Sequence, residues 1–247
     1  MKTSEYRNMA AFDHTHWYFL GMKRIMTTIL DTKYESNSKL QVLDAGAGTG
    51  WFTEVLGKYG NVTALDISED ALRFCRERGI KNTIQADVAK IPVKDGSFDL
   101  IVCSEVLYHQ YVKDDGEVMR EFNRVLKPSG RLLVKVPAHS YLWGMHDTVN
   151  LTKHRYEKDE LRKIFLDNGF IIERITYANF FLFPLVYLKR RMERKIHNVQ
   201  EESDIKDTPR AINSLLYLIL SLEAKLMCFV NLPQGSSLVC LGKKVTS

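Results

Sequence analysis

Short apolar runs alternate with segments of helical periodicity through the first half of the chain. The apolar runs predict five β-strands, at Leu40–Asp44, Val62–Asp66, Asn82–Ala86, Phe98–Cys103 and Arg131–Val136. The intervening segments predict helices at Thr49–Tyr59, Glu69–Arg78 and Lys113–Leu126. Because strands that alternate with helices form parallel β-α-β units, the pattern predicts an α/β fold with helices on both faces of one sheet.

The pattern on either side of this core is less regular. Apolar residues recur at helical spacing from Met22 to Leu30 and predict an amphipathic helix after His16. The remaining predicted elements are a turn at 127–130, a long loop at 138–155, a helix at Glu157–Asn168 and strands at Phe170–Thr176 and Ser237–Gly242. Between these two strands lie two segments that are both apolar and basic, 180–196 and 212–230, joined by a polar linker at 198–210.

Composition and charge narrow the class of protein. The 247 residues carry 35 Lys and Arg against 30 Asp and Glu, and the net charge of +5 is too small to indicate a nucleic-acid-binding protein. The four cysteines are far apart in the sequence and form no Cys-x-x-Cys pair, which is typical of a reduced, cytosolic protein. No signal-peptide pattern opens the chain, and its longest apolar stretches fall short of the roughly 18 residues that a transmembrane helix needs. We therefore expect a cytoplasmic protein.

Most of the net charge lies in one segment. Residues 189–195 combine five cations, Lys189, Arg190, Arg191, Arg194 and Lys195, with one acid, Glu193. In the second apolar segment, one helical face carries Leu215, Ile219, Leu222, Leu226 and Val230. The two patterns are typical of helices that lie on an anionic membrane surface. The alternatives are that both helices pack on each other, over a substrate pocket or across a homodimer interface, with the cations in solvent.

The most specific motif is a glycine turn, Val-Leu-Asp-Ala-Gly-Ala-Gly-Thr-Gly, from Val42 to Gly50. Glycines after a buried strand let the backbone approach a ligand, and the following helix presents N–H groups at its start. Asp66 ends the next strand about 20 residues later, where a carboxylate can accept both hydroxyls of a ribose. A dinucleotide motif would place its third glycine at Trp51, and Asp44 would repel a pyrophosphate but attract an ammonium group. A nicotinamide-dependent oxidoreductase is therefore the less favoured alternative.

Five motifs, taken in this order, resemble those of the class I S-adenosylmethionine-dependent methyltransferases. They are Leu43–Gly50, Ala64–Ser68, Gln85–Val88, Ile91–Asp99 and Leu126–Val134. The segments His16–Gly21 and Trp143–Asp147 also look like a bacterial and archaeal branch of the family, in which Arg commonly stands at the position of Met22 and the acceptors are mostly undefined. The resemblance implies a Rossmann-like, doubly wound mixed sheet of seven strands, with the last strand antiparallel and a helical insertion before it.

The resemblance also implies S-adenosylmethionine as the methyl donor. Gly46, Ala47 and Gly48 should lie against its methionyl group and ribose. Asp44 should bind the amino group directly or through water, and Ser104 should lie near the methionyl end.

The other half of the donor should contact the ends of the second and third strands. Asp66 should hold the ribose diol, and Ile67 should pack on the adenine. Asp87 should accept a hydrogen bond from the exocyclic amine, and the N–H of Val88 should meet a ring nitrogen. The alternative for both acids is that they cap a strand end or a turn.

The acceptor is expected beside the donor, at the carboxyl ends of the strands. The candidate catalytic residues are Tyr108, His109, His146 and His154, and the candidate substrate-binding residues are Trp17, Trp143, Asp147, Arg155 and Tyr156. His146 or His154 is a candidate general base that Asp147 would orient, whereas a histidine such as His109 can instead brace a loop. A metal site is disfavoured because the spacing of these residues matches no known ligand pattern.

We predict one domain over residues 1–247, with a helical lid at 1–39, a cofactor-binding core at 40–176, a helical insertion at 177–236 and a terminal strand at 237–247. The predicted function is methyl transfer to a small-molecule, sugar or lipid-linked acceptor, with oxygen as the favoured atom. Nucleic-acid acceptors are disfavoured because Ser104–Leu107 lacks the Asn/Asp-Pro-Pro-aromatic turn, and Cys103 is predicted to be buried. The remaining alternative is a protein that binds the donor without turnover.

Overall fold

A mixed sheet of seven strands forms the centre of the molecule in the computed structural model, which describes residues 3–193 and 207–245. The strands are β1 (Leu40–Ala45), β2 (Gly60–Asp66), β3 (Asn82–Gln85), β4 (Phe98–Ser104), β5 (Leu126–Pro137), β6 (Phe170–Ala178) and β7 (Ser237–Lys244). Their order across the sheet is β3-β2-β1-β4-β5-β7-β6, and β7 runs antiparallel to both of its neighbours. The predicted fold class is confirmed.

The helices follow the strands in the alternating order that the sequence predicts. They are α1 (Thr3–Phe12), α2 (Trp17–Asp31), α3 (Trp51–Leu56), α4 (Glu69–Glu77), α5 (Asp115–Val125), α6 (Met145–Val149), α7 (Lys158–Asp167), α8 (Phe183–Glu193) and α9 (Arg210–Met227). Helices α8 and α9 form the insertion between β6 and β7.

The centre of the sheet explains where a ligand can bind. Val42 and Leu43 of β1 and Leu100 and Ile101 of β4 have no exposed surface, which is why these strands read as continuous apolar runs. From this pair the chain leads outward in opposite directions, through β2 and β3 on one side and β5 on the other. Loops that diverge at such a point leave a crevice at the carboxyl ends of the strands.

Several segments differ from the sequence-based prediction. The predicted turn at 127–130 lies within β5, because the pairing with β4 shifts from Phe98–Leu126 to Leu100–Arg131 and the bulge absorbs these residues. The predicted loop at 138–155 contains a 3₁₀ turn at Ser140–Leu142 and helix α6. The predicted helical lid at 1–39 includes α1, but the sequence pattern marks no separate helix there, since its residues are mixed in polarity. Residues 198–206 of the predicted linker lie outside the described part of the chain.

The basic stretch of the insertion is divided between interior and surface. Arg190 is buried, and its guanidinium donates to Glu193 Oε2 at 2.7 Å. The interpretation of this side chain as a solvated or headgroup-facing cation is therefore wrong. Lys189 and Arg191 are exposed. The remaining two predicted cations, at positions 194 and 195, lie outside the described residues.

Helix α9 packs tightly against α2. A Cβ on Gly21 would lie 2.2 Å from Leu220 Cδ1 and 2.7 Å from Leu220 Cβ, so no larger residue fits at this point. The side chain of Asn213 joins the starts of the two helices, because its Oδ1 accepts from the Trp17 N–H at 2.8 Å and its Nδ2 donates to the Thr15 carbonyl at 3.0 Å. The insertion is thus fixed to the N-terminal helices as well as to the sheet.

We expect Gly21→Ala to lower the free energy of unfolding by about 1 to 3 kcal/mol, because the new methyl group overpacks the contact with Leu220. Helix propensity alone predicts the opposite sign, a gain of about 0.5 to 1 kcal/mol. Urea unfolding measures the difference. Lys23→Ala, on the exposed side of the same helix, is the control and should change stability by less than about 0.5 kcal/mol. A gain in stability for Gly21→Ala would contradict the tight packing.

Candidate active site

The glycine turn, Gly46–Gly50, follows β1 in the left-handed conformation that glycine tolerates best. The φ angles of Gly46, Gly48 and Gly50 are +86°, +56° and +78°. A Cβ on Gly46 would lie 2.1 Å from Val106 Cγ2, whereas a Cβ on Gly48 would have no neighbour within 4 Å. Gly46 is therefore required by packing, and the backbone at Gly48 borders open space that a ligand can enter.

Asp44, the carboxylate that precedes the turn, is buried without an ion-pair partner among the described residues. Its Oδ2 accepts a hydrogen bond from Thr53 Oγ1 at 2.6 Å. Burial raises its pKa to about 7, with a further upward contribution from the charge of Asp66, while the bond from Thr53 opposes the shift. A cation placed beside this carboxyl would favour its ionised form.

Asp66 connects the end of β2 to the glycine turn. Its Oδ2 accepts from the Gly48 N–H at 2.9 Å, and its Oδ1 accepts from the Ser68 N–H at 2.9 Å. Burial raises its pKa, and these backbone hydrogen bonds oppose the shift. Because each carboxylate oxygen has two lone pairs, both oxygens can still accept from a pair of ligand hydroxyls. Ile67, the next residue, is 55% exposed and offers an apolar surface beside them.

The third strand leads to a turn that contains two of the residues predicted to bind the methyl donor, Asp87 and Val88. Asp87 is exposed, and its Oδ1 accepts from the Ala89 N–H at 2.9 Å. This bond matches the turn-capping alternative, yet it leaves the other carboxylate oxygen available to a ligand. Val88 is buried.

Helix α1 covers this side of the site and carries two residues that sequence reasoning missed. The Tyr6 hydroxyl bonds the Ser68 side chain next to Asp66, and burial raises its pKa to about 12. Just after the helix, Asp13 Oδ2 accepts from Thr49 Oγ1 at 2.9 Å and from Arg78 at 2.6 Å. No periodic signal marks either residue in the sequence. They attach α1 to the glycine turn and to α4.

A second group of polar side chains lies at the carboxyl ends of β4 and β5. We call it the Glu105 cluster; its members are Tyr18, Glu105, Tyr108 and Lys135. Glu105 directly follows Ser104, has a φ of +61° and forms an ion pair with Lys135, whose Nζ also donates to Tyr18 Oη at 3.1 Å. Burial opposes the charge of Lys135, but Glu105 outweighs it and raises the pKa of the lysine.

Tyr108 and His109, two predicted catalytic residues, lie beside Glu105. Burial and the neighbouring Glu105 hold the pKa of Tyr108 well above its usual range, so the hydroxyl stays protonated. The ring of His109 stacks on Tyr108 at 4.9 Å, and burial lowers its pKa. The His109 Nδ1 is buried with no hydrogen-bond partner in the described part of the chain. Ser104 lies at the same edge, where its hydroxyl contacts Met26 Sδ at 3.9 Å.

The predicted pairing of Asp147 with a histidine does not occur. Asp147 is buried and forms a bidentate ion pair with Arg155, at 2.9 and 3.1 Å, and Arg155 also donates to the Ala138 carbonyl. Both carboxylate oxygens are therefore used to fix the loop that follows β5. His146 instead contacts Asn150, with 2.7 Å between Nε2 and Nδ2.

His154 and Tyr156 face helices α7 and α5. His154 Nε2 lies 3.0 Å from Glu160 Oε1, and its ring packs on Tyr156 at 4.2 Å. Tyr156 has no exposed surface and donates to Asp115 Oδ2 at 2.7 Å. The structure thus places these two residues in interhelical contacts. Of the predicted tryptophans, Trp17 is half-buried at the start of α2 and Trp143 is 36% exposed.

Comparisons with known proteins agree with this geometry. A family model described as a methyltransferase domain matches residues 43–134. The malonyl-[acyl-carrier protein] O-methyltransferase of Buchnera aphidicola is 30% identical over 148 residues, which are 59% of each protein. The ubiquinone/menaquinone biosynthesis C-methyltransferase UbiE of Ectopseudomonas mendocina is 30% identical over 176 residues, which cover 56% of this chain and 67% of that protein. The match to the Buchnera protein therefore leaves about two fifths of that relative uncovered.

Solved structures show the same fold at low identity. The Haloferax volcanii methyltransferase determined in complex with the Trm112 methyltransferase activator superposes with a TM-score of 0.63 at 18% identity, covering 99% of this chain and 96% of that one. The S-adenosylmethionine-dependent methyltransferase of Mesorhizobium loti superposes with a TM-score of 0.58 at 19% identity, covering 87% of this chain and 96% of that one. With the glycine turn, the two acids and the strand order, these matches show that the chain belongs to the class I S-adenosylmethionine-dependent methyltransferases.

Proposed function

We propose that this protein transfers the methyl group of S-adenosylmethionine to an oxygen of a small-molecule, sugar or lipid-linked acceptor. The observation that carries the proposal is the open space at Gly48, whose N–H donates to the buried carboxylate of Asp66. The buried Asp44 lies on β1 just before the same turn, and the Glu105 cluster follows along the same sheet edge. An ammonium group and a ribose diol are what such carboxylates bind best.

The residues present fit the donor. Asp44 attracts its ammonium group, Asp66 accepts from the ribose hydroxyls, and Ile67 packs on the adenine. Gly46, Ala47 and Gly48 allow the backbone to approach, while Asp87 and the Val88 N–H bind the adenine edge and Ser104 lies at the methionyl end. Helix α1 acts as a lid through Tyr6 and excludes water from the ribose.

The donor supplies an electrophilic methyl group on a sulfonium, so the protein has to position the acceptor and receive its proton. Glu105 is the group best placed for proton transfer, since its side chain is 35% exposed and directly follows Ser104. It takes the hydroxyl proton as the acceptor oxygen bonds to the methyl group. Lys135 and the Tyr108 hydroxyl hold the Glu105 carboxylate in place, and His109 packs next to Tyr108.

We expect Asp66→Ala to weaken binding of S-adenosylhomocysteine at least about tenfold, because two hydrogen bonds to the ribose and the bond to Gly48 are lost together. Isothermal titration calorimetry measures the affinity. Asp159→Ala, which removes a fully solvated acid of α7, is the matched control and should bind like the wild type. Equal affinities of the two variants would contradict the proposed donor site.

Donor affinity should depend on pH through Asp44. Because the pKa in the free protein is about 7, the carboxyl is neutral below that pH, and the ammonium group binds only the ionised form. Affinity for S-adenosylhomocysteine should therefore rise up to about tenfold per unit between about pH 5.5 and 7 and then level off. Calorimetry across this range tests the slope, which Asp44→Asn should abolish. A slope that persists in the variant would contradict the assignment.

The same carboxyl should destabilise the free protein at high pH. Folding raises the pKa of Asp44 from 3.8 to about 7, so the folded protein holds a proton on this carboxyl between these two pH values. The stability that this proton contributes is therefore lost as pH rises toward 7. At pH 8, Asp44→Asn should therefore raise the free energy of unfolding by about 0.5 to 2 kcal/mol while it weakens donor binding. Urea unfolding of both proteins at pH 5 and 8 checks the sign.

We expect Glu105→Gln to lower kcat by about 10² to 10⁴ with little change in donor affinity. The assay follows the labelled methyl group from S-adenosylmethionine into metabolite and lipid extracts of the expressing cells. Glu117→Gln, on the exposed side of α5, is the control. Wild-type turnover by Glu105→Gln would exclude Glu105 as the base, and donor binding without turnover in any extract would favour a binding protein.

A further inference from the structure

Helices α8 and α9 carry two apolar stripes that the described part of the chain leaves uncovered. The stripes consist of Leu185, Leu188 and Met192 on α8 and of Leu215, Leu218 and Leu222 on α9. All six side chains are more than half exposed, and their spacing of three and four residues aligns each set along one face of its helix. Phe229, directly beyond α9, is 85% exposed. An apolar surface of this extent on a folded protein marks an interaction site.

The acidic and the basic residues of these two helices differ in their contacts and exposure. Glu193 bonds the buried Arg190 and also forms an ion pair with Lys189 at 3.7 Å, and Glu223 has no exposed surface. The cations Arg191, Arg210 and Lys225 are all exposed. Among the described residues of α8 and α9, the charges that no acid of these two helices offsets are therefore these three cations, which lie beside the apolar stripes.

Glu223 also fixes the two helices to each other. Its carboxylate accepts from the backbone N–H groups of Asn179, Phe180 and Phe181, at 2.5, 2.8 and 3.2 Å. These three residues form the segment that leads into α8. The start of α8 is thus tied to α9 at Glu223, and the two stripes belong to helices that are joined at this point.

We propose that these stripes dock the protein on one leaflet of an anionic lipid bilayer, with Arg191 and Lys225 at the level of the headgroup phosphates. Apolar rows bordered by cations match the two layers of a leaflet, its acyl chains and its negative headgroups. A second copy of the chain fits less well, because an isologous contact would bring cations of equal sign together. Within residues 3–193 and 207–245, no helix is long and apolar enough to cross a bilayer. The inference does not depend on the acceptor.

Flotation of the full-length protein with vesicles tests this docking. The protein should float with vesicles of phosphatidylcholine mixed with phosphatidylglycerol and much less with phosphatidylcholine alone. Arg191→Gln combined with Lys225→Gln should weaken binding to the mixed vesicles about 25-fold, about fivefold for each cation. Leu218→Asn combined with Leu222→Asn should weaken it by at least about 100-fold, since each leucine contributes about tenfold or more. Raised salt should weaken binding of the wild type.

Matched variants on other surfaces serve as controls. Lys81→Gln combined with Lys163→Gln removes two exposed cations elsewhere, and Leu166→Asn combined with Ile171→Asn removes two apolar side chains of similar exposure. Both controls should bind like the wild type. Thermal unfolding and calorimetry with S-adenosylhomocysteine show whether each variant is folded, and they report on the donor site independently of the vesicles.

Three outcomes would overturn the proposal. The first is absence of flotation with the mixed vesicles, and the second is equal flotation of the wild type and both stripe variants. The third is a wild-type dimer that Leu218→Asn combined with Leu222→Asn converts to monomers in light scattering, without vesicle binding, which would assign the stripes to a second copy. Loss of donor binding together with intact flotation would contradict the proposed function and leave the docking in place.

Discussion

Two buried carboxylates at the ends of neighbouring parallel strands are the constraint around which this molecule is organised. Asp44 and Asp66 lie on β1 and β2, and neither forms an ion pair within the described residues. A buried carboxyl without a cation is disfavoured in its charged form, which is why both pKa values are raised. In the proposed donor site, the glycine turn and the open space at Gly48 would admit a ligand that brings the missing positive charge. The free energy lost by burying two unpaired carboxyls in the free protein would then be recovered when the cationic donor binds.

Local patterns predict the strands and the glycine turn that carry the proposed donor site. A buried parallel strand is a short apolar run, and Asp66 marks the end of the second one, so β1, β2 and the glycine turn could be located from the sequence alone. The acceptor side could not, because its contacts join distant residues. Glu105, at the end of β4, bonds Lys135 of the neighbouring strand β5, which is 30 positions further along the chain. Asp147 was expected to orient His146 or His154, but the fold brings Arg155 to it instead. Helix α1 carries no periodic pattern, and the described contacts that attach it to the site are those of Tyr6 and of Asp13, just after the helix.

The net charge counted along the insertion differs from the charge that its helices present on the surface. Counting along the sequence subtracts Glu193 from the basic stretch, although this acid neutralises Arg190 in the interior. Because Glu193 also pairs with Lys189 at 3.7 Å, Arg191 is the cation of the described part of α8 that no acid of the helix offsets, and it lies next to an apolar stripe. On α9 the single acid is buried among backbone N–H groups. The proposed docking therefore depends on which charged side chains are exposed and which are buried or paired, and a count of charges along the sequence does not contain this information.

The apolar stripes and the acceptor side of the site are connected through one helix. The inner face of α9 packs on α2 through Leu220 and Gly21, and α2 carries Tyr18, which contacts the Lys135 that pairs with Glu105. A leaflet bound to the outer face of α9 would therefore be separated from the Glu105 cluster by both helices, whose packed axes lie about 8 to 10 Å apart. The contact between α9 and α2 is thus the route by which docking at the stripes could act on the Glu105 cluster.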